Sequence, residues 1–278
     1  MPESEIRKIR LRTGFELEVL VSGAGSEAPP LVLVPGVAGN KELFSSIVGL
    51  LSRERQIVAV DLSPVVARGA SVLQSAVDDL LEVLDALSLT RFDLLGQSFG
   101  ALISVRATKT RPAGVRRLIL AGPATIPSSW AAPGIFARWL GMGAMLRVCP
   151  AKLRPTVARL VRRAGGFAIE PELDGGGLDE LASRIRLVRV LPLVRRLLAV
   201  RGHSWRQELQ GIEAPLLIVE GDREAALLPE DVLVYFDQRP HTKYVEMRGG
   251  HMPFLVRPEE FVALVDQFLD SGVTAAQR

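Results

Sequence analysis

Apolar residues in the first 122 positions fall into two alternating patterns: short unbroken runs of Val, Ile and Leu, and longer stretches in which they recur every three or four residues. The runs LVLVP (31–35), QIVAVDL (56–62), FDLLG (92–96) and RRLILAG (116–122) have the length and continuity of strands buried on both faces. Ahead of them, IRKIRLR and FELEVLV predict an antiparallel hairpin about Thr13-Gly14. Between the runs, positions 41–53, 71–87 and 99–109 carry helical spacing; Val72, Ala76, Leu80, Val83, Leu84 and Leu87 share one face. Strands alternating with helices predict an α/β fold with a mostly parallel, doubly wound sheet, and right-handed crossovers place helices on both of its faces.

After Pro123 the strand pattern stops, and segments such as WAAPGIFARWLGMGAML and LDELASRIRLVRV read as helices. Residues 123–206 are therefore expected to form a helical cap inserted after the sixth strand, dividing the core into 1–122 and 207–278. The triple glycine in EPELDGGGLDE is the best candidate for a mobile loop within that cap. Strand pattern returns with PLLIVEG (215–221) and KYVEM (243–247), and Phe261, Leu264, Val265 and Phe268 mark a closing helix over 258–269.

Composition narrows the chemistry. With 48% hydrophobic and 23% charged residues over 278 positions, and no apolar run near the ~18 residues of a membrane span, the chain reads as globular. One cysteine, Cys149, makes no internal disulfide and reads as a small buried hydrophobe; with three histidines it forms no zinc-binding pattern, so neither a metal nor another cofactor is expected. The start MPESEIRKIRLRTGF lacks the apolar stretch of a secretory signal, which predicts a cytoplasmic protein. A net charge of +3 is too small to cover a nucleic-acid backbone, so a nucleic-acid partner is not expected. The charge is uneven, however: between Pro123 and Gln210 fourteen Arg or Lys face six Asp or Glu. Around Arg159, Arg162 and Arg163 the basic residues lie away from a stripe of Leu153, Val157 and Leu160. Such a stretch is usually a solvated face, but it can meet an anionic lipid surface or an anionic substrate tail.

The motif that carries chemistry is Gly96-Gln97-Ser98-Phe99-Gly100, which follows a strand run directly and opens a helical one. A serine on so sharp a turn has strained backbone angles, and the residues two before and two after it must be tiny; both are glycine. A serine hydroxyl is a weak nucleophile and needs a base, for which His203, His241 and His251 compete. His251, in GGHMP, follows the last strand run and falls at the sheet edge where Ser98 sits. A carboxylate to orient it is sought after the penultimate strand, where Glu220 belongs to the strand and Asp222 or Glu224 remain. Donors for a developing oxyanion would be the amides of Phe99 and, from the loop Pro35-Gly36-Val37-Ala38-Gly39, of Val37. In the cap, Trp130, Phe136, Trp139, Met142 and Met145 could line an apolar pocket for a small-molecule acyl substrate, although core packing of the cap is the readier explanation.

These motifs resemble the α/β-hydrolase superfamily over nearly the whole chain: GQSFG, LVPGVAGN, the insertion after RRLILAGPA, PLLIVEGDRE and GGHMPFLVRPEEF occur in that family's order. The resemblance implies Ser98 as nucleophile, His251 as base and Val37 and Phe99 as the oxyanion amides. The family register three residues beyond Gly221 selects Glu224 as the acid, where an aspartate is usual. Pro35 stands where a histidine is frequent, and DLSPVVARGAS lacks the usual glycine-rich turn. LVLVPGVAGNKELF, LDELASRI and the glycine-pair tail also resemble maspardin-like members, which implies a binding protein; the histidine at 251 favours catalysis. The implied activity is that of a serine hydrolase acting on a small carboxylic ester or related acyl compound. A binding protein of the same fold and a cofactor-free C–C bond hydrolase are the alternatives.

Overall fold

The computed structural model describes residues 3–23, 27–37, 39–62, 71–123, 195–196, 198–200, 203–223, 239 and 241–271. Eight strands, β1 (Ser4–Arg10), β2 (Glu16–Ser22), β3 (Leu31–Val34), β4 (Ile57–Val60), β5 (Phe92–Gln97), β6 (Val115–Ala121), β7 (Leu216–Gly221) and β8 (Thr242–Met247), form one sheet. Its order is β1-β2-β4-β3-β5-β6-β7-β8. The β1/β2 and β2/β4 pairs are antiparallel, and every pair from β4 to β8 is parallel. The mostly parallel α/β sheet expected from the alternating runs, and the α/β-hydrolase core that the family resemblance implies, are thus present. The expected cap falls almost wholly outside the described residues, and with it the triple-glycine loop, Cys149, the pocket-lining aromatic and methionine residues and the stretch around Arg159.

Period-two alternation divides the strands between two apolar layers. Val32, Val34, Val58, Val60, Leu94, Leu118, Leu120, Leu216 and Ile218 face α2 (Val72–Ala86) and α3 (Phe99–Thr110). Leu31, Leu33, Ile57, Ala59, Leu95, Ile119, Leu217 and Val219 face α1 (Ser45–Leu51) and, from the C-terminal end, α5 (Pro253–Val256) and α6 (Pro258–Asp270). Each such side chain is withdrawn from water, which stabilises the fold by roughly 1.5–3 kcal/mol apiece. This double burial is why the strands read as unbroken apolar runs.

The helix expected over 41–53 is split: Lys41–Phe44 is a 3-10 turn and the α-helix starts at Ser45. Asn40 provides no side-chain cap, and the buried Lys41 ammonium must reach Glu18 (2.9 Å), Glu42 (2.9 Å) and Asp61 (3.5 Å), which favours a tight first turn. Burial works against that ammonium, but the three carboxylates outweigh it and hold its pKa above the usual lysine range. α2 starts where the pattern places it, capped by Ser71, whose Oγ accepts the Gln74 N–H at 3.2 Å.

A short helix, α4 (Trp205–Leu209), follows the expected cap; Trp205 and Leu209 are buried against the α2/α3 layer. Its Glu208 accepts from the Arg106 guanidinium of α3 at 2.7 Å and contacts His203 Nδ1 at 3.0 Å. Burial would raise the Glu208 carboxyl, but Arg106, with help from His203, holds it below the usual range. Because the folded value lies below the unfolded one, the ionised carboxylate stabilises the fold at neutral pH. That stabilisation disappears as pH falls from about 4.5 through the folded value. Urea midpoints measured from pH 7 to pH 3 should fall more steeply for the wild type than for Glu208→Gln, and parallel curves would remove Glu208 from the acid response.

Candidate active site

In strand order β3 lies between β4 and β5, so the chain leaves β3 to one side and later returns on the other. A crevice opens at such a switch point, beyond the carboxyl ends of β3 and β5. Ser98 stands there, between the last residue of β5 and the first of α3, with φ 54° and ψ −115°. A non-glycine residue held in this way costs on the order of 1–3 kcal/mol. Its surroundings impose the conformation: the Ser98 N–H donates to the Ala121 carbonyl at 3.0 Å and the Ser98 carbonyl accepts from Ala101 N–H at 2.9 Å. A Cβ on Gly96 would lie 2.7 Å from Ala101 Cα, and one on Gly100 would lie 2.6 Å from the Pro35 carbonyl oxygen. The two flanking glycines therefore do what the sequence motif requires, and Gly100 also fits α3 against the end of β3. Ser98 is 8% exposed. Phe99 opens α3 with its ring in the core, and an N–H in a helix's first turn has no acceptor within the helix.

The loop after β3 lies against this turn. Gly39 N–H donates to the Gly36 carbonyl at 2.9 Å, closing a turn with Gly39 at φ 77°. A Cβ on Gly36 would stand 3.2 Å from Ser98 Cβ and would collide with the Gln97 side chain, so the loop backbone approaches the serine as closely as its composition allows. Leu62 N–H binds the Gly39 carbonyl at 2.6 Å, tying the loop to the end of β4. Val37 is half-buried, and its carbonyl accepts from Arg196 Nη1 at 3.0 Å. In the sequence Arg196 is only one more positive charge in the cap segment.

His251 follows the turn after β8, at the same end of the sheet as Ser98. Gly122, at φ 53°, packs against it: a Cβ there would lie 2.6 Å from the His251 carbonyl oxygen and 3.2 Å from Nδ1. The Ser98 N–H bonds to the Ala121 carbonyl and the imidazole borders Gly122, so consecutive residues at the end of β6 support the serine's backbone and the histidine. The chain beyond His251 is anchored by Phe254, fully buried between Phe44 (5.8 Å between ring centres) and Phe261 (5.5 Å). The other histidines lie elsewhere. The His241 carbonyl accepts from Leu216 N–H at the opposite end of β7, and His203 is engaged by Glu208 and Arg106, about two helical turns along α3 from Ser98.

Of the candidate acids, Glu224 lies outside the described residues. Asp222 is exposed; its Oδ1 accepts from Gly249 N–H at 3.0 Å and its own N–H binds the Met247 carbonyl at 2.8 Å, which fastens the turn ahead of His251. Glu220 is fully buried in β7 and accepts the Tyr244 hydroxyl at 2.9 Å. Burial and the adjacent Glu220 and Glu246 push that phenol above its usual range.

A family model described as "Alpha/beta hydrolase family" matches residues 31–264. The chain belongs to this family. Among similar α/β-hydrolases, the 2-hydroxy-6-oxo-2,4-heptadienoate hydrolase of Pseudomonas putida is 27% identical over 96% of this chain and 97% of its own. The 2-hydroxymuconate semialdehyde hydrolase of a Pseudomonas species is 26% identical over 98% and 96%. A solved hydrolase structure from Pseudomonas aeruginosa superposes with a TM-score of 0.72 at 21% identity, covering 96% of this chain and 98% of that one. The protein is thus an α/β-hydrolase enzyme, and none of its helices among the described residues is long and apolar enough to cross a membrane.

Gly122→Ala tests the packing of the imidazole. The added methyl must displace His251 and adopt a backbone angle that costs about 1–2 kcal/mol. Hydrolase turnover should fall roughly 10–100-fold with the far-ultraviolet circular dichroism unchanged; an unaltered rate would show that this packing positions no group the reaction needs.

Proposed function

We propose that the protein is a serine hydrolase that cleaves a small carboxylic ester or related acyl compound through an acyl-enzyme. The observation that carries the reading is the strained Ser98 backbone at the switch point, held between two glycines. A protein of this fold that only binds its ligand would have no use for such strain, since holding a serine at φ 54° lowers stability without adding a contact.

In this reading His251 accepts the Ser98 hydroxyl proton as the oxygen attacks the substrate carbonyl. The amides of Val37 and Phe99 receive the negative charge that develops on the carbonyl oxygen. Collapse of the tetrahedral intermediate breaks the ester bond, and the departing alkoxide takes the proton from His251. Water then gives a proton to His251 and attacks the acyl carbon; the acid leaves and Ser98 recovers its proton. Glu224 orients the imidazole. Asp222 is the weaker candidate because its Oδ1 already holds Gly249 N–H.

A second reading, C–C bond hydrolysis, draws on the two near full-length relatives, whose names specify a hydroxy-oxo-dienoate and a semialdehyde. The same nucleophile and base would serve it. Assaying p-nitrophenyl esters of graded acyl length beside 2-hydroxy-6-oxo-2,4-heptadienoate separates the two, since the ester reading predicts no turnover of the dienoate and the C–C reading predicts a higher kcat/KM for the dienoate than for any ester.

Ser98→Ala should abolish both turnover and labelling by a fluorophosphonate probe; undiminished labelling would overturn the assignment. His251→Ala should lose a comparable amount, because members of one triad act as a unit. For the acid, Glu224→Ala is expected to lower kcat by roughly 10³ or more while Asp222→Ala leaves most of it. The opposite ranking would transfer the role to Asp222.

A further inference from the structure

Arg196 is 1% exposed, the largest of the fully buried side chains among the described residues. It lies among the helical residues 195–196 and 198–200, far along the chain from the loop it touches. A buried guanidinium is expensive to desolvate and normally faces a carboxylate. Here two donors of its fork go to backbone carbonyls: Nη1 donates to Val37 at 3.0 Å, and Nη2 donates to Leu62. Burial draws its pKa down to about 10 while the charge of Asp61 opposes the fall, so the side chain stays charged at neutral pH. Asp61 is shared with Lys41, 3.5 Å away, which fixes a second cation behind the same loop.

The contacts form a closed ring. Leu62 N–H holds the Gly39 carbonyl, the Leu62 carbonyl holds Arg196, and Arg196 holds the Val37 carbonyl of the same turn. The Val37 carbonyl and the Val37 N–H are separated by one Cα, so fixing the first restricts the direction of the second. On the other side Gly36 is pressed against Gln97 and Ser98, leaving the Gly36–Val37 peptide clamped between the elbow and the guanidinium.

We infer that Arg196 is a positioning residue for the oxyanion loop, setting the direction of the Val37 amide and so making the chemical step depend on the segment that carries the arginine. The inference rests on the serine-hydrolase reading, in which that amide receives the developing negative charge. A planar fork can span two carbonyls in this way; an ammonium on a flexible stem cannot reproduce it.

The test compares wild type, Arg196→Lys and Arg196→Met on a neutral p-nitrophenyl ester, with kcat expressed per serine titrated by a fluorophosphonate. Phenylboronic acid serves as the second readout, since its boron takes the Ser98 oxygen as the hydroxyl proton passes to His251, giving a tetrahedral anion in the same loop. In both variants kcat should fall roughly 10–100-fold with KM within about twofold, and the boronate inhibition constant should rise in step with the loss. Lysine should restore less than half of the lost kcat, although it keeps the charge. Unchanged kcat per titrated site and unchanged boronate inhibition, with only a lower melting temperature, would make Arg196 a packing residue and overturn the inference. So would a KM increase confined to carboxylate-bearing esters, which would make it a substrate contact. If neither variant folds, hydrogen exchange in the wild type decides. Boronate should protect residues 36–39 and 195–200 together, and protection of the first without the second would overturn the inference. Ser98→Ala separates this outcome from the underlying reading: turnover surviving in that variant would remove the nucleophile, whatever the arginine does.

Discussion

The positive-φ backbone at Ser98 is the constraint around which the rest of the molecule is arranged. It is tolerable only because Gly96 and Gly100 remove two clashes and because Ala121 and Ala101 take up the polar groups of the serine's backbone. Three elements place those partners, Gly96 lying in β5. Ala121 ends β6, Ala101 lies in the first turn of α3, and Gly100 is tucked beneath the carbonyls that end β3. Strain of a few kcal/mol can persist at one residue when so many independent contacts determine its position.

The apolar layers explain why those partners stay in place. In sheet order the strands from β4 to β7 are parallel and buried on both faces, so a one-residue slip in any of them would exchange the side chains of one layer for those of the other. Register is therefore fixed strongly, and with it the relative heights of the loops after β3, β5, β6 and β7. Charged side chains buried within this frame are tied off close to their own elements: Asp93 at the far end of β5 is held by Arg116 at 2.9 and 2.5 Å, and Lys41 by three carboxylates.

Features whose signal lies within a few residues are legible in the sequence. The strands announce themselves by double burial, the helix over 71–87 by its spacing, and the turn at Ser98 by two glycines around one serine. Features that cannot be read there depend on partners distant in the chain. Nothing around Arg196 distinguishes it from its neighbour Arg195, because the carbonyls it binds belong to Val37 and Leu62. Gly122 looks like an ordinary residue after a strand until His251 is packed on it. That Asp222 accepts the Gly249 N–H, in the next turn of the sheet edge, is something that spacing along one segment cannot reveal. The split of the helix after Asn40 likewise follows from where Lys41 must place its charge.

The order in which these parts leave the ribosome has a consequence of its own. The elbow and its β6 support are complete by residue 122, whereas the turn bearing His251 is made only after β7 has supplied the neighbour on which β8 pairs. At about 5–20 residues per second the growing chain spends on the order of ten seconds with a serine but no imidazole beside it. With His251 as the proposed base, Ser98 lacks the group that would take its proton until β8 has joined the sheet.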